Sequence, residues 1–210
     1  MKKVLFFAFI MFANQLFSQS NFSKFWKLSK PKKVWVLFHP FKAKKSLKIS
    51  IEANSVSDSI AKTNILDGDL AGRQVDAFRH AYWMARLKQE MGHSAAKSLG
   101  KAHEKENYLM YKKRALEEGV VPDKISSEMD LHNNEEGLKL ITKSSKTTKE
   151  GLIYRVINAI KSGKMKIIKK DTNGNFLTCD NQIISNQLLQ GKWENSKCLI
   201  SSNKKTHNFI

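Results

Sequence analysis

"VDAFRHAYWMARL", Val75 to Leu87, carries a helical stripe with two residues out of character. Met84, Leu87 and Met91 recur at the spacing of one helix face. Extended backwards by whole turns, the stripe lands on Asp76 and His80. An acid and an imidazole thus stand where a core-facing helix carries Leu or Ala. Burying an acid is costly unless it is paired or coordinated.

On either side the pattern stays helical. Ile49, Ala53, Val56 and Ile60 predict a helix from Ser46, ended near Gly68 and Asp69. The helix bearing the opening stretch is expected from Ala71 to Met91, with Gly92 after its end. Ser94 is expected to cap a third helix reaching Gly119. Pro122 and Asp123 open a fourth. Thr147 and Glu150, at capping-box spacing, open a fifth that ends at Gly163. The expected fold is mainly α: a bundle of about five helices over residues 46–164, with a small β-rich appendage at the C-terminus. In residues 165–210, "MKIIKKDTNGNFLTCD" reads as a hairpin turning at Asp171 to Gly174. "IISNQLL" and "KCLIS" are expected to add short strands. Cys179 and Cys198 are the only cysteines, and in an exported chain such a pair reads as a disulfide.

The other end has its own character. Residues 1–20 have a basic start, an apolar run from Val4 to Ala13 and a small polar exit, the pattern of a secretory signal peptide. The run is short for a membrane span, and no second long apolar run follows, so the mature chain is expected to be exported, to the periplasm or beyond, without a transmembrane segment. Residues 21–45 form a basic, aromatic lead-in. Pro31 and Pro40 are expected to break any long helix there, while Trp35, Leu37 and Phe38 pack onto the domain; the alternative is an arm for a membrane surface or nucleic acid. The net charge of +18 suits an anionic partner: nucleic acid, anionic lipid or an acidic glycan. Lysines scattered over the chain serve solubility equally well.

Two further helices repeat the oddity of the first. Ala96, Leu99 and His103 align, with Glu104 one position on. Asp130, Asn134, Leu138 and Ile141 align, with Asn133 adjoining, whereas His132 points about 200° away. Arg79 borders the Asp76–His80 face. Two accounts fit this set. In one, Asp76, His80, His103, Glu104 and Asp130 are ligands for a divalent metal ion such as zinc or manganese. His80, His103, Glu104 and Arg79 then form the catalytic set, and Asn133, Asn134 and Trp83 bind substrate. In the other, the same residues form a closed buried network that fixes helix register. No HExxH spacing is present.

"DAFRHAYWMARL", "AHEKEN" and "MDLHNNEEG", in that order, resemble a bacterial domain of unknown function found in small exported proteins and in phage-encoded or polymorphic-toxin-like proteins. The resemblance spans about Ile49 to Lys164. It implies a mostly helical fold and marks Asp76, Arg79, His80, Trp83, His103, Glu104, Asp130, His132, Asn133, Asn134 and Gly137 as the matching positions. It carries no activity. The toxin-like company suggests a hydrolytic effector by association only. The expected function is a metal-dependent hydrolase of a phosphodiester or lipid-like substrate. The alternative is a non-enzymatic envelope protein that binds an anionic surface, with the cluster purely structural.

Overall fold

A computed structural model describes residues 23, 25–116, 121–142 and 145–204. The expected signal peptide and Gly119 lie outside the described residues. The fold is mainly helical, with α1 Lys30–Phe38, α2 Pro40–Ala61, α3 Gln74–Met91, α4 His93–Lys112, α5 Lys124–Lys139, α6 Lys149–Lys161, β1 Lys166–Ile168, a short α7 Asn186–Leu189 and β2 Leu199–Ser201. Among the described residues no helix is long and apolar enough to cross a membrane.

The opening stretch forms the central helix. α3 packs against α2, α4, α5 and α6 at once. It is therefore buried on nearly every side, not along a single stripe. One part of the core joins Phe78, Tyr82 and Ala85 to Ile60 of α2, to Leu152, Val156 and Ile160 of α6, and to Ile167 of β1. The other joins Met84, Leu87 and Met91 to Trp35, Ile49, Ala96, Leu99 and Leu138. Full burial of a side chain such as Phe78 or Leu87 contributes about 1.5–3 kcal/mol.

The helix ends follow local chemistry. Asp123 caps α5 by accepting from the Ser126 N–H at 2.9 Å. Gly92, at φ +86°, makes the sharp joint between α3 and α4. The cap of α6 is Thr148 rather than Thr147, accepting from the Gly151 N–H.

Pro31 and Pro40 do break the lead-in, by starting helices rather than by excluding them. Each stands at the first turn of one, where a missing N–H costs nothing and the fixed φ suits the helix. Trp35 packs into the core, but Leu37 and Phe38 point to solvent. "IISNQLL" contributes the short helix α7 instead of a strand, and β1 pairs in antiparallel register with β2, not across the Asp171–Gly174 turn. That turn does form, but with isolated bridges at Lys170–Phe176 and Leu177–Ile183. Cys179 and Cys198 are bonded, with Cα atoms 4.9 Å apart. A cross-link closing a loop of this size stabilises by roughly 3 kcal/mol in the chain-entropy view.

A second polar network ties α2 to α3. Glu52 accepts from Arg86 Nε at 2.8 Å and from the Tyr82 hydroxyl at 2.9 Å, and pairs with Lys149. Burial alone would raise the Glu52 carboxyl, but the Arg86, Lys149 and Tyr82 hydrogen bonds outweigh it and hold the group at about 2. A depressed carboxylate contributes stability above its unfolded value near 4.5 and loses it as pH falls towards 2. Glu52→Gln should lower Tm at neutral pH by roughly 2–4 °C, after discounting for solvent screening. The gap from wild type should close between pH 4.5 and 2 in thermal melts. A gap independent of pH would rule this account out.

Candidate functional site

The out-of-character residues of α3 meet those of α5. Asp76 and His80 lie one turn apart on α3, and Asp130 and Asn134 lie one turn apart on α5. His80 Nε2 stands 3.5 Å from Asp76 Oδ1 and 3.3 Å from Asp130 Oδ1. One potential ligand atom from each of the three residues lies within 4.8 Å of the other two, and all three residues are buried. Gly137 sets this spacing. A Cβ there would overlap the Ala81 carbonyl oxygen and sit 2.7 Å from Ala81 Cα, so only glycine lets α5 lie this close to α3.

Asp76 and His80 are each held by groups outside the triad. Asp76 Oδ2 accepts from the Gly72 N–H at 2.7 Å, and Oδ1 accepts from Arg79 Nη2 at 2.5 Å. His80 Nδ1 faces Asn134 Oδ1 at 3.3 Å. Burial first, then the charges of Arg79 and His103, hold the His80 imidazole well below its ordinary range, against the opposing Asn134 hydrogen bond. A neutral ring that donates from Nδ1 to Asn134 turns the Nε2 lone pair towards two carboxylate oxygens. Three electron-rich atoms then converge on one point, an arrangement that a cation satisfies. Ligands about 2.1 Å from a common ion stand roughly 3.0–3.4 Å apart, close to the two His80–carboxylate distances. The residues present therefore fit a divalent ion with two oxygens and one nitrogen.

Of the five residues expected as ligands, these three bring a potential ligand atom each within 4.8 Å of one another. His103 lies beside His80, with ring centroids 6.1 Å apart, but its Nδ1 turns to Glu106 at 3.6 Å. Glu104 is buried on the α4 face and accepts from Asn107 Nδ2 at 3.3 Å. Asn133 is turned away from the centre altogether. Its amide accepts from the Lys166 N–H at 2.9 Å and donates to the Lys166 carbonyl at 3.0 Å, clamping β1 to α5 as a neighbouring strand would. His132 bonds the Lys164 carbonyl on the outer side of α5. Asn133→Ala strands both Lys166 backbone groups, so Tm should fall by roughly 4–8 °C while far-UV helix content stays constant. An unchanged Tm would show that the clamp carries no weight.

Trp83 links this interior to the surface. Its indole N–H donates to Ser50 Oγ at 3.0 Å, and its ring meets His103 edge-on at 5.6 Å. The other side of Trp83 lines a groove of 420 Å³ between α1 and α2, with Phe25, Val36, Phe41, Leu47 and Leu99. Asp76, His80 and Asp130 do not line it. Lys32, on the groove wall, pairs with Glu106, which in turn faces His103. Burial would raise Glu106, but hydrogen bonds from His103, Lys32 and Ser29 prevail and hold it at about 2.

Glu106 and Asn107 escaped the sequence reading, since nothing local marks them among the charged residues of "AHEKEN". Gly72 escaped because its contribution is a backbone N–H.

A family model described as "Domain of unknown function (DUF6973)" matches residues 33–164. The chain belongs to this family. The DUF6973 span takes in most of α1 and all of α2, so the lead-in is part of the domain from Lys33 on. It also contains Asp76, His80 and Asp130, and it stops before β1 and the disulfide. No curated protein and no solved structure matches the chain significantly.

Proposed function

We propose that this DUF6973 protein is an exported, metal-dependent hydrolase whose divalent ion is held by Asp76, His80 and Asp130. The carrying observation is the convergence of two carboxylate oxygens and His80 Nε2, with Nδ1 already engaged by Asn134. A bound divalent ion would supply Lewis acidity towards a phosphoryl or carbonyl oxygen. Asp76 is fixed in place by the Gly72 N–H and Arg79, and Asn134 fixes the His80 ring. Arg79 is the cation best placed to meet an anionic substrate group, because its guanidinium already lies against the cluster. His103, oriented by Glu106 and lying between the His80 and Trp83 rings, is the group placed to carry a proton between centre and groove. The basic charge favours a phosphodiester or lipid-like substrate.

The test is to measure tightly bound metal on the purified protein, to titrate it with Zn²⁺ and Mn²⁺, and to assay the loaded protein on a chromogenic phosphodiester and a short-chain ester. Binding of one ion per chain, with turnover lost in His103→Gln and binding retained, is the expected result. Absence of any tight binding would remove the basis of the reading.

A second reading is supported by the saturation of Asp76, which already accepts from Arg79 and Gly72. In it the cluster sets helix register and the protein binds an anionic envelope surface without catalysis. It expects Asp130→Asn to lower Tm equally with and without added metal.

A further inference from the structure

Among the described residues, the outer side of α1 and α2 leaves large apolar side chains exposed. Between Asn21 and Ile51 the sequence holds nine lysines and no acid. On α2 the buried side is Ile49, Ala53, Ser57 and Ile60. The opposite side presents Phe41, Leu47 and Ile51, interleaved with Lys44 and Lys48. Phe41 is 88% exposed and Ile51 61%. On α1, Leu37 is 68% and Phe38 79% exposed. Between the two helices the groove runs inward from Phe41 and Leu47 to Trp83. Large apolar side chains at such exposure, gathered on one face, mark a binding surface.

We propose that this face seats on an anionic bilayer, with Leu37, Phe38, Phe41 and Ile51 entering the interface, the lysines meeting lipid phosphates, and the groove taking one acyl chain. The composition selects the occupant. Lysines at the rim of an apolar face complement an anionic leaflet. Nucleic acid would use the lysines and stack bases on aromatic rings, but it has no use for exposed Leu37, Leu47 and Ile51. The groove is mostly apolar, open to the same face and floored by Trp83 and Leu99, which suits a hydrocarbon chain and not a phosphate. The inference goes beyond the hydrolase reading and stands without it.

The protein is used from Asn21 on, the form that signal cleavage would release and one that keeps every described residue. It is sedimented with vesicles of phosphatidylcholine alone, or with about one third phosphatidylglycerol. The bound fraction should rise roughly tenfold with phosphatidylglycerol and fall steeply with salt. The Phe41→Asp/Leu37→Asp and Lys44→Glu/Lys48→Glu pairs should each lose about tenfold, with unchanged melting curves. In a Trp26→Phe/Trp193→Phe background, the remaining Trp35 and Trp83 both line the groove. Lipid with brominated acyl chains should quench their fluorescence. Binding insensitive to these substitutions overturns the docking surface, and docking without quenching overturns the acyl chain. Binding to duplex DNA or an acidic peptide but not to vesicles overturns both.

Discussion

His80→Ala is expected to lower the affinity for Zn²⁺ or Mn²⁺ at least a hundredfold in calorimetric titration. His80 Nε2 faces both carboxylates, at 3.3 and 3.5 Å, and supplies the nitrogen of the three-atom group. Asn134→Ala, which removes only the group orienting the ring, should cost roughly 10–100-fold. Stability gives a second readout. Metal at about a hundred times its Kd should stabilise the wild type by roughly 2.7 kcal/mol, or about 5–11 °C in Tm. His80→Ala should show none of that gain. If the wild type gains nothing from metal while His80→Ala still melts lower, the cluster is a structural network.

Gly137→Ala is expected to be the most damaging single methyl group in the domain. Its Cβ would have to share space with the Ala81 backbone, and Ala81 is fully buried in the central helix and cannot swing aside as a side chain does. Overpacking of this kind costs about 3 kcal/mol, and Tm should fall by roughly 6–12 °C. Because α3 carries Asp76 and His80 while α5 carries Asp130, pushing the helices apart should also remove metal binding, even at temperatures where the helices remain by circular dichroism. Retained binding and an unshifted melt would mean that α5 can slide without loss. Gly100→Ala is a milder comparison. Its Cβ would meet the flexible end of Met84, with the sulfur 3.2 Å away.

The sequence made the helices legible where chemistry is local. Asp123 as a cap, Gly92 as a joint and the out-of-place Asp76 and His80 are all visible in one dimension. So is the turn-by-turn match between Asp76–His80 and Asp130–Asn134. What it hid depends on distance. The stripe through Met84, Leu87 and Met91 suggested one buried face, but α3 is enclosed because α2, α4, α5 and α6 surround it, and periodicity within one segment does not count neighbours. Asn133 and Asn134 look equivalent in "HNN", yet a 100° step on the helix sends one to a backbone clamp and the other to the His80 ring. Leu37 and Phe38 looked like core because they are apolar, a rule that works poorly for single residues on a two-turn helix.

The brace behind Asp76 passes through the C-terminal appendage. The Gly72 carbonyl accepts from the Ile168 N–H, and the next residue, Lys169, donates its N–H to the Cys198 carbonyl. Cys198 is tied to Cys179. The loop that aims an N–H at the carboxylate is therefore backed by a segment whose closure needs oxidised sulfur. A cross-link far along the chain thus shares in holding one carboxylate of the cluster, and reducing it should loosen the Gly72 N–H on Asp76.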